Sequence, residues 1–376
     1  MFSINIEVKD KPKSYDLFTD QDIFAYIARY AKDKKLANQY AIISDSIVAP
    51  LYSEKLESHF KANGLYVKTF VFPAGEKYKN RDTKAQLESQ MLDAGFARDS
   101  AIIALGGGVV GDLAGFVAAT YMRGIPFLQV PTTIIAQADS SIGGKTAVDV
   151  PQGKNLIGAF HQPQAVFIDV ATLSTLDQRN YTSGMMEVVK HGLIHDKEFF
   201  DYLLANIETI LTRRGDNYNQ VMIDLMSRNC QIKNWVVSED AKEKNLRKIL
   251  NYGHTIGHGV ELLSDFELLH GESIAIGLAV EAYISFKLGY LSESDFLAQK
   301  NLIQSLGLST LIPQNMKTGD IIKVMHLDKK ASSKAVEMVL LEKIGRVKYF
   351  DQGKTTLAID DSTLIDLIDQ YRTISS

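Results

Sequence analysis

Ala101–Leu105, a short apolar run of strand-forming character, passes without a break into Gly106-Gly107-Gly108-Val109-Val110-Gly111-Asp112 and then into the apolar stretch Leu113–Thr120. That succession reads as strand, tight glycine turn and helix. Gly106, Gly108 and Gly111 satisfy G-x-G-x-x-G in the one setting where the pattern has a mechanism. The backbone can approach a pyrophosphate there, and the first N–H groups of the helix face it. The same glycines also suit a plain tight turn, so other residues must decide. The acidic residue expected about 20 positions further on is missing. The next strand-like run ends instead in Val130-Pro131-Thr132-Thr133, with two hydroxyls, and an earlier one, Ala41–Ser44, is closed by Asp45, placed for a ribose hydroxyl. The expectation is a variant dinucleotide site.

The same texture extends through the first half. Tyr40–Ser44, Val67–Phe72, Ala101–Leu105, Phe127–Val130 and Val166–Ile168 are short apolar runs bounded by turn residues, with helical patterns at Pro50–Asn63 and Asp82–Ala94 between them. Alternation of this kind predicts an α/β domain with a mostly parallel sheet. Beyond Asp177 the period changes to 3.6 over Ser183–His195, Asp201–Arg213, Asn217–Ser238, Leu250–Ser264, Gly271–Leu288 and Ser292–Ser305. Strand-like runs Ala335–Leu341 and Arg346–Phe350 flank Ile344–Gly345, and a last helix falls near Asp361–Tyr371. A chain of 376 residues has room for two domains, expected as an α/β dinucleotide-binding domain over 1–177 and a mainly helical metal- and substrate-binding domain over 178–376. Their cleft is the expected site.

Composition narrows the function classes. A net charge of −4 and the lack of any basic block argue against nucleic acid as a partner. Cys230 is the single cysteine, which excludes an internal disulfide and fits a reducing, cytoplasmic compartment; it is expected as a packed thiol. The opening MFSINIEVKD alternates like a strand and lacks the basic start and apolar run of a signal peptide. No apolar run approaches the roughly 18 residues of a membrane span.

Three residues could hold a catalytic metal: Glu187 in GMMEVVKHG, His254 in NYGHTIGH and His270 in ELLHGES. Two imidazoles and a carboxylate leave a position open for water or substrate. His254 and His258 also stand at i, i+4, an H-x-x-x-H pair, but the glutamate of a zinc-protease H-E-x-x-H is absent. Lysines beside glycines (SSIGGKT, PQGKNLIG) suit phosphate and carboxylate oxygens better than a solvated helix face. This cation-rich set comprises Arg123, Asp139, Lys145, Lys154, Asn155 and Lys190, then Lys233, Glu243, Arg247 and Asn251. Arg247, Asn251, His254 and His258 recur every three or four residues, which predicts one helical face carrying all four. A structural ion-pair network would explain the charges alone, but not their company of Asn, His and glycine turns.

Taken together, GGGVVGDLAGFVAATYMRG, VPTTIIAQADSSIGGKTAVD, GKNLIGAFHQP, MMEVVKHGLI, LRKILNYGHTIGH, LLHGESIAIG and LDKK resemble the motifs of the 3-dehydroquinate synthase family, in order, from Pro73 to Leu341. The resemblance implies a homodimer converting 3-deoxy-D-arabino-heptulosonate 7-phosphate to 3-dehydroquinate and phosphate, on the shikimate route to chorismate and aromatic amino acids. Transient oxidation by NAD, β-elimination of phosphate, re-reduction and aldol closure follow one another. It implies zinc, with cobalt able to substitute, on Glu187, His254 and His270. It implies an NAD site of Asp45, Gly75, Glu76, Lys77, Tyr78, Lys79, Gly108, Val109, Val110, Gly111, Asp112, Thr132, Thr133, Lys145, Lys154, Thr172, Leu173, Ser174 and Thr175. As catalytic residues around the anionic sugar phosphate it implies Arg123, Asp139, Lys145, Asn155, Lys190, Lys233, Glu243, Arg247, Asn251, His258 and Lys330, with Lys329 an alternative to Lys330 and Arg123 a residue offered to a dimer partner. Two positions depart from the family's pattern: Ala147-Val148-Asp149 after GGKT, and Met185-Met186 before Glu187. Rival readings are another sugar-phosphate cyclase, such as amino-dehydroquinate synthase, and an oxidoreductase like glycerol dehydrogenase.

Overall fold

The structure is a computed structural model that describes residues 14–240, 244–265, 267–328 and 335–375. The N-terminal strand-like stretch, Glu243, Lys329 and Lys330 therefore lie outside the described residues.

The first half is built from β1 (Asp16–Asp20), α1 (Phe24–Asp33), β2 (Gln39–Asp45), α2 (Ala49–Ala62), β3 (Tyr66–Phe72), α3 (Arg81–Asp93), β4 (Ser100–Gly106), α4 (Gly108–Thr120), β5 (Phe127–Pro131), the hairpin β6 (Lys145–Val150) and β7 (Gly153–Phe160), and β8 (Ala165–Asp169). Six strands form one sheet in the order β1-β8-β5-β4-β2-β3, and every pairing in it is parallel. A parallel sheet must be covered on both faces, and the alternation along β4 shows how. Ala101, Ile103 and Leu105 point into a core shared with α1 and α2, whereas Ile102 and Ala104 join Leu87, Met91 and Leu113 of α3 and α4. From β2 the chain proceeds outward to β3, then returns to β4 and continues to β5 and β8 on the other side. The direction reverses between β2 and β4, and the crevice beyond their carboxyl ends is where such sheets bind ligands.

The second half is helical: α5 (Gln178–His195), α6 (Lys197–Ala205), α7 (Ile207–Thr212), α8 (Tyr218–Glu239), α9 (His254–Leu263), α10 (His270–Lys287), α11 (Glu293–Ser305) and α12 (Thr318–Asp328). Four short strands, β9 (Ala335–Met338), β10 (Leu341–Lys343), β11 (Arg346–Val347) and β12 (Leu357–Asp360), precede α13 (Asp361–Ser375). Its core does not stop at the sheet. Ile134, Ala138, Val166 and Ile168 belong to the same buried cluster as Met185, Met186, Val188 and Val189 of α5, so the two halves are joined through apolar packing. Met185 and Met186 spend themselves in that joint, fully buried. Cys230 is buried as expected, and burial pushes its thiol up to about 12.

Several expectations need correction. The stretch Asp201–Arg213 is two helices, broken at Asn206. The late strand-like run Ala335–Leu341 is divided between β9, which pairs with β12, and the start of β10, which pairs with β11. Arg247 and Asn251 lie in a separate 3-10 turn, Leu246–Asn251, and α9 begins only at His254. Gly253 stands between them at φ 80°, a left-handed conformation that glycine adopts without steric cost, so the four residues do not share one helical face. β1, α1, α12 and the β6–β7 hairpin went unread in the sequence.

The helical half is closely packed where it carries function. A Cβ added at Gly271, one residue past His270, would lie 1.8 Å from the Ser183 carbonyl oxygen. Because both atoms are backbone-anchored, α10 would have to move off α5. We expect Gly271→Ala to destabilise the fold by about 3 kcal/mol, read as a lower midpoint in chemical denaturation; an unchanged midpoint would mean the helices are more loosely seated than this.

Candidate active site

The sheet positions the residues expected at the nucleotide. Asp45, Gly75, Gly108, Thr132–Thr133 and Thr172–Thr175 all follow the carboxyl ends of strands in the parallel sheet. Helix α4 starts at Gly108, and Gly107 before it offers no side-chain cap. The leading N–H groups of such a helix lack intrahelical partners, and they carry the positive end of its dipole. Beside it, Thr132 Oγ1 is buried without a hydrogen-bond partner among the described residues. An uncapped helix start next to an orphaned hydroxyl suits a pyrophosphate and its ribose. Asp45 accepts from the N–H groups of Ile47 and Val48 at 2.8 and 2.9 Å through Oδ1 alone.

The turn Glu76–Tyr78 follows β3 and brings Lys79 inward, 4% exposed. Its Nζ lies 2.6 Å from Asp112 and 2.5 Å from Asn155 Oδ1. Three motifs far apart in sequence thus meet at one ammonium. Asn155 sits at φ 57° on the β6–β7 hairpin, and its N–H donates to Asp149 at 2.8 Å. The Asp149 carboxylate, part of the departure after GGKT, is therefore engaged in holding Asn155. Lys145 opens β6 with its side chain exposed.

Glu187, His254 and His270, expected as metal ligands, form a second cluster. Glu187 and Lys190, one turn apart on α5, are each 2% exposed and form an ion pair through Oε2. Glu187 Oε1 lies 3.3 Å from His254 Nε2 and 3.3 Å from His270 Nε2. Ligands placed tetrahedrally at about 2.1 Å around zinc stand about 3.4 Å from one another, so the spacing of this trio matches that of a first coordination sphere. His254 Nδ1–H donates to the Tyr252 carbonyl at 3.1 Å, and His270 Nδ1 faces Glu261 at 3.1 Å. Both arrangements leave Nε2 for an ion. His258 adds a third imidazole: ligand atoms of His254, His258 and His270 all lie within 4.8 Å of one another.

Burial, helped by Lys190, pushes His254 down to about 4. His270 is pushed up to about 9, because the Glu187 and Glu261 carboxylates outweigh its burial. Burial works against the Glu187 carboxylate, yet Lys190 and His254 hold it well below the ordinary range.

Two carboxylates outside the expected set complete the frame. Glu281 of α10, fully buried, accepts from the N–H groups of Gly253 and Ile256 at 2.7 and 3.2 Å. It caps the start of α9 and so fixes where His254 points. Glu261, one turn past His258 on α9, braces His270; its spacing of seven from His254 was a signal available in the sequence.

The cation group converges only in part. Lys233 of α8 reaches across to Asp139 in the π-helical turn Ala136–Ser140, at 2.7 Å. Lys190, Lys233 and Arg247 are all buried. Arg247 packs over Gly143, where an added Cβ would meet its guanidinium at 2.9 Å. His191 Nδ1 and Asn229 Oδ1 lie 2.6 Å apart, and Asn229 donates to the Ala138 carbonyl at 2.7 Å, which fastens this turn to α5 and α8. Asn251 ends its 3-10 turn, exposed. Arg123 is the exception. It follows the far end of α4, exposed, with α4 running 13 residues from Gly108, about 20 Å at 1.5 Å per residue. It is not brought to its own chain's crevice.

Burial disfavours the Asp139 carboxylate, but the Lys233 ammonium prevails and holds it at about 2. A depressed carboxylate stabilises the fold above its unfolded value near 4. The contribution is lost as pH falls from about 4 toward 2. We expect the wild type to lose roughly 1–2 kcal/mol more than Asp139→Asn across that window; parallel acid-denaturation curves would remove the pair from the stability account.

A helix started by glycine, a His/Glu cluster and buried lysines with an arginine together define a class: an enzyme that binds a nucleotide, a metal and an anionic substrate. Models of the 3-dehydroquinate synthase N-terminal and C-terminal regions match residues 69–183 and 184–331. The 3-dehydroquinate synthase of Thermoanaerobacter sp. (strain X514) is 44% identical over 92% of this chain and 95% of its own length. The chain belongs to the 3-dehydroquinate synthase family, whose members are carbon–oxygen lyases. Among solved structures, 2-epi-5-epi-valiolone synthase from Streptomyces hygroscopicus subsp. jinggangensis 5008, with NAD+ and Zn2+ bound, superimposes with a TM-score of 0.86 at 25% identity, covering 98% of this chain and 99% of that one. A 2-deoxy-scyllo-inosose synthase complexed with carbaglucose-6-phosphate, NAD+ and Co2+ gives 0.81 at 28% identity, covering 95% and 96%.

Proposed function

We propose that this protein converts 3-deoxy-D-arabino-heptulosonate 7-phosphate to 3-dehydroquinate and phosphate, with NAD and zinc in the crevice. The observation that carries the reading is the trio Glu187, His254 and His270, spaced as metal ligands and facing buried Lys190. The resident groups supply a hydride acceptor that is also the donor, and Lewis acidity toward a substrate hydroxyl. Everything else falls to the chain. Glu187, His254 and His270 hold the metal. The amides of Gly108–Gly111, Thr132, Asp45 and the segments Gly75–Lys79 and Thr172–Thr175 hold the dinucleotide, with Lys145 and Lys154 at its edge.

Lys190, Lys233, Arg247, Asn155 and Asn251 bind the carboxylate and phosphate. The buried side chains of Lys190, Lys233 and Arg247 are held in place before the substrate arrives, so stabilising the departing phosphate costs little reorganisation. Asp139 orients Lys233. His258, beside the ligand trio, is placed to take and return a proton at a substrate hydroxyl. Tight packing between the two halves keeps the reacting atoms aligned.

We further propose a domain division near residue 177, a cytoplasmic location and a homodimer in which Arg123 serves the partner's crevice. The position of Arg123 at the far end of α4 supports that last reading. No helix among the described residues is long and apolar enough to cross a membrane. Other sugar-phosphate cyclases share the plan, so the substrate is the deciding variable. The test is to supply 3-deoxy-D-arabino-heptulosonate 7-phosphate and, separately, other sugar phosphates, and to identify the carbocycle formed. 3-Dehydroquinate from the first alone is the expected result; turnover of another sugar phosphate in its place would overturn the assignment.

A further inference from the structure

Glu261 is neither one of the proposed ligands nor part of the cation group, yet its two oxygens connect both halves of the molecule. Oε2 lies 3.1 Å from His270 Nδ1. Oε1 lies 3.4 Å from Lys154 Nζ, on β7 of the hairpin. On its other side, the His270 ring presents Nε2 to Glu187 at 3.3 Å. His270 is the least buried of the proposed ligands, its side chain 30% exposed against 12% for His254 and 2% for Glu187. Packing alone holds this ring less firmly than the others, so a hydrogen bond at Nδ1 has more to decide.

We infer that Glu261 is a positioning residue for the metal centre: it accepts the Nδ1–H of His270, fixes the tautomer that leaves Nε2 for the ion, and ties that ring through Lys154 to the hairpin of the nucleotide-binding half. The inference rests on the reading of Glu187, His254 and His270 as metal ligands. The two contacts differ in weight. A carboxylate behind a ligating histidine is worth about 10- to 100-fold in metal affinity. The Lys154 contact is long and its ammonium is 41% exposed, so it contributes little.

The experiment measures zinc affinity of the full chain by competition with a chromophoric chelator, without NAD or substrate. Glu261→Ala is expected to weaken zinc about 10- to 100-fold, Glu261→Gln, which keeps an oxygen acceptor, about 3- to 10-fold, and Lys154→Ala less than about 3-fold. Visible absorption of the cobalt-saturated Glu261→Ala protein should also be displaced from the wild-type spectrum, a change that general destabilisation does not produce. Wild-type zinc affinity and an unchanged cobalt spectrum in a folded Glu261→Ala protein would overturn the inference. Should that variant not fold, Glu261→Gln decides: unaltered affinity there overturns it equally. A wild-type chain that binds no zinc would instead sink the metal-centre reading itself, and the inference with it.

Discussion

Lys190→Ala should lower turnover by about two to three orders of magnitude while the chain still folds and binds one equivalent of zinc. Lys190 is 2% exposed and paired with Glu187, so its ammonium is held in a dry place where charge–charge interactions are strong. With metal absent, truncation leaves the Glu187 carboxylate buried beside only His254 and His270, and some stability is lost. With metal bound, that carboxylate is compensated by the ion. The stability cost should therefore shrink in zinc-loaded protein, whereas the loss of turnover should not. Steady-state kinetics and zinc content, measured on the same preparation, separate the two. Near-wild-type turnover at saturating substrate would remove Lys190 from the mechanism.

Removing the metal, or one of its ligands, should be still more severe. Glu187→Gln replaces a charged donor by a weak neutral one at the point where both Nε2 atoms converge, 3.3 Å from each. We expect zinc affinity to fall by at least about 100-fold, the upper end of what an outer-shell partner alone is worth, and activity to fall to background. Chelation of the wild type should do the same, and zinc or cobalt should restore activity. Full activity in a verified metal-free preparation would contradict the assignment of Glu187, His254 and His270. Loss of zinc and of activity in His258→Ala, with zinc retained in Glu187→Gln, would point to the three-histidine arrangement instead, since its ligand atoms are also within 4.8 Å of one another.

Much of the sheet was legible because parallel strands buried on both faces are continuous apolar runs. Tyr40–Ser44 and Ala101–Leu105 fall inside β2 and β4 within a residue or two of their ends. The β6–β7 hairpin was not, because β7 is glycine-bearing and largely exposed and offers no apolar face to read. The step of three to four residues from Arg247 to His258 pointed to one helix, but Gly253 at φ 80° interrupts it, and a lone glycine in a periodic stretch does not announce its sign of φ. The nucleotide turn could be argued from chemistry alone. The ligand trio could be proposed from chemistry, two imidazoles and a carboxylate, although spacing by itself singled out His254 with His258. Glu281 could not have been found: it acts on Gly253 from 28 residues away, and only the packing of α10 on α9 brings them together. Arg123 shows the reverse limit, a motif residue that the fold of a single chain leaves outside the crevice.

On the proposed mechanism, oxidation and reduction occur within one turnover, so that NAD is a resident group and not a consumed substrate. Purified zinc-loaded protein should be given 3-deoxy-D-arabino-heptulosonate 7-phosphate and a catalytic trace of NAD, with phosphate release and NADH absorbance followed together. Many phosphates released per NAD, with no net NADH, is the predicted result. NADH accumulating in step with substrate consumed would contradict it and make the protein a net oxidoreductase.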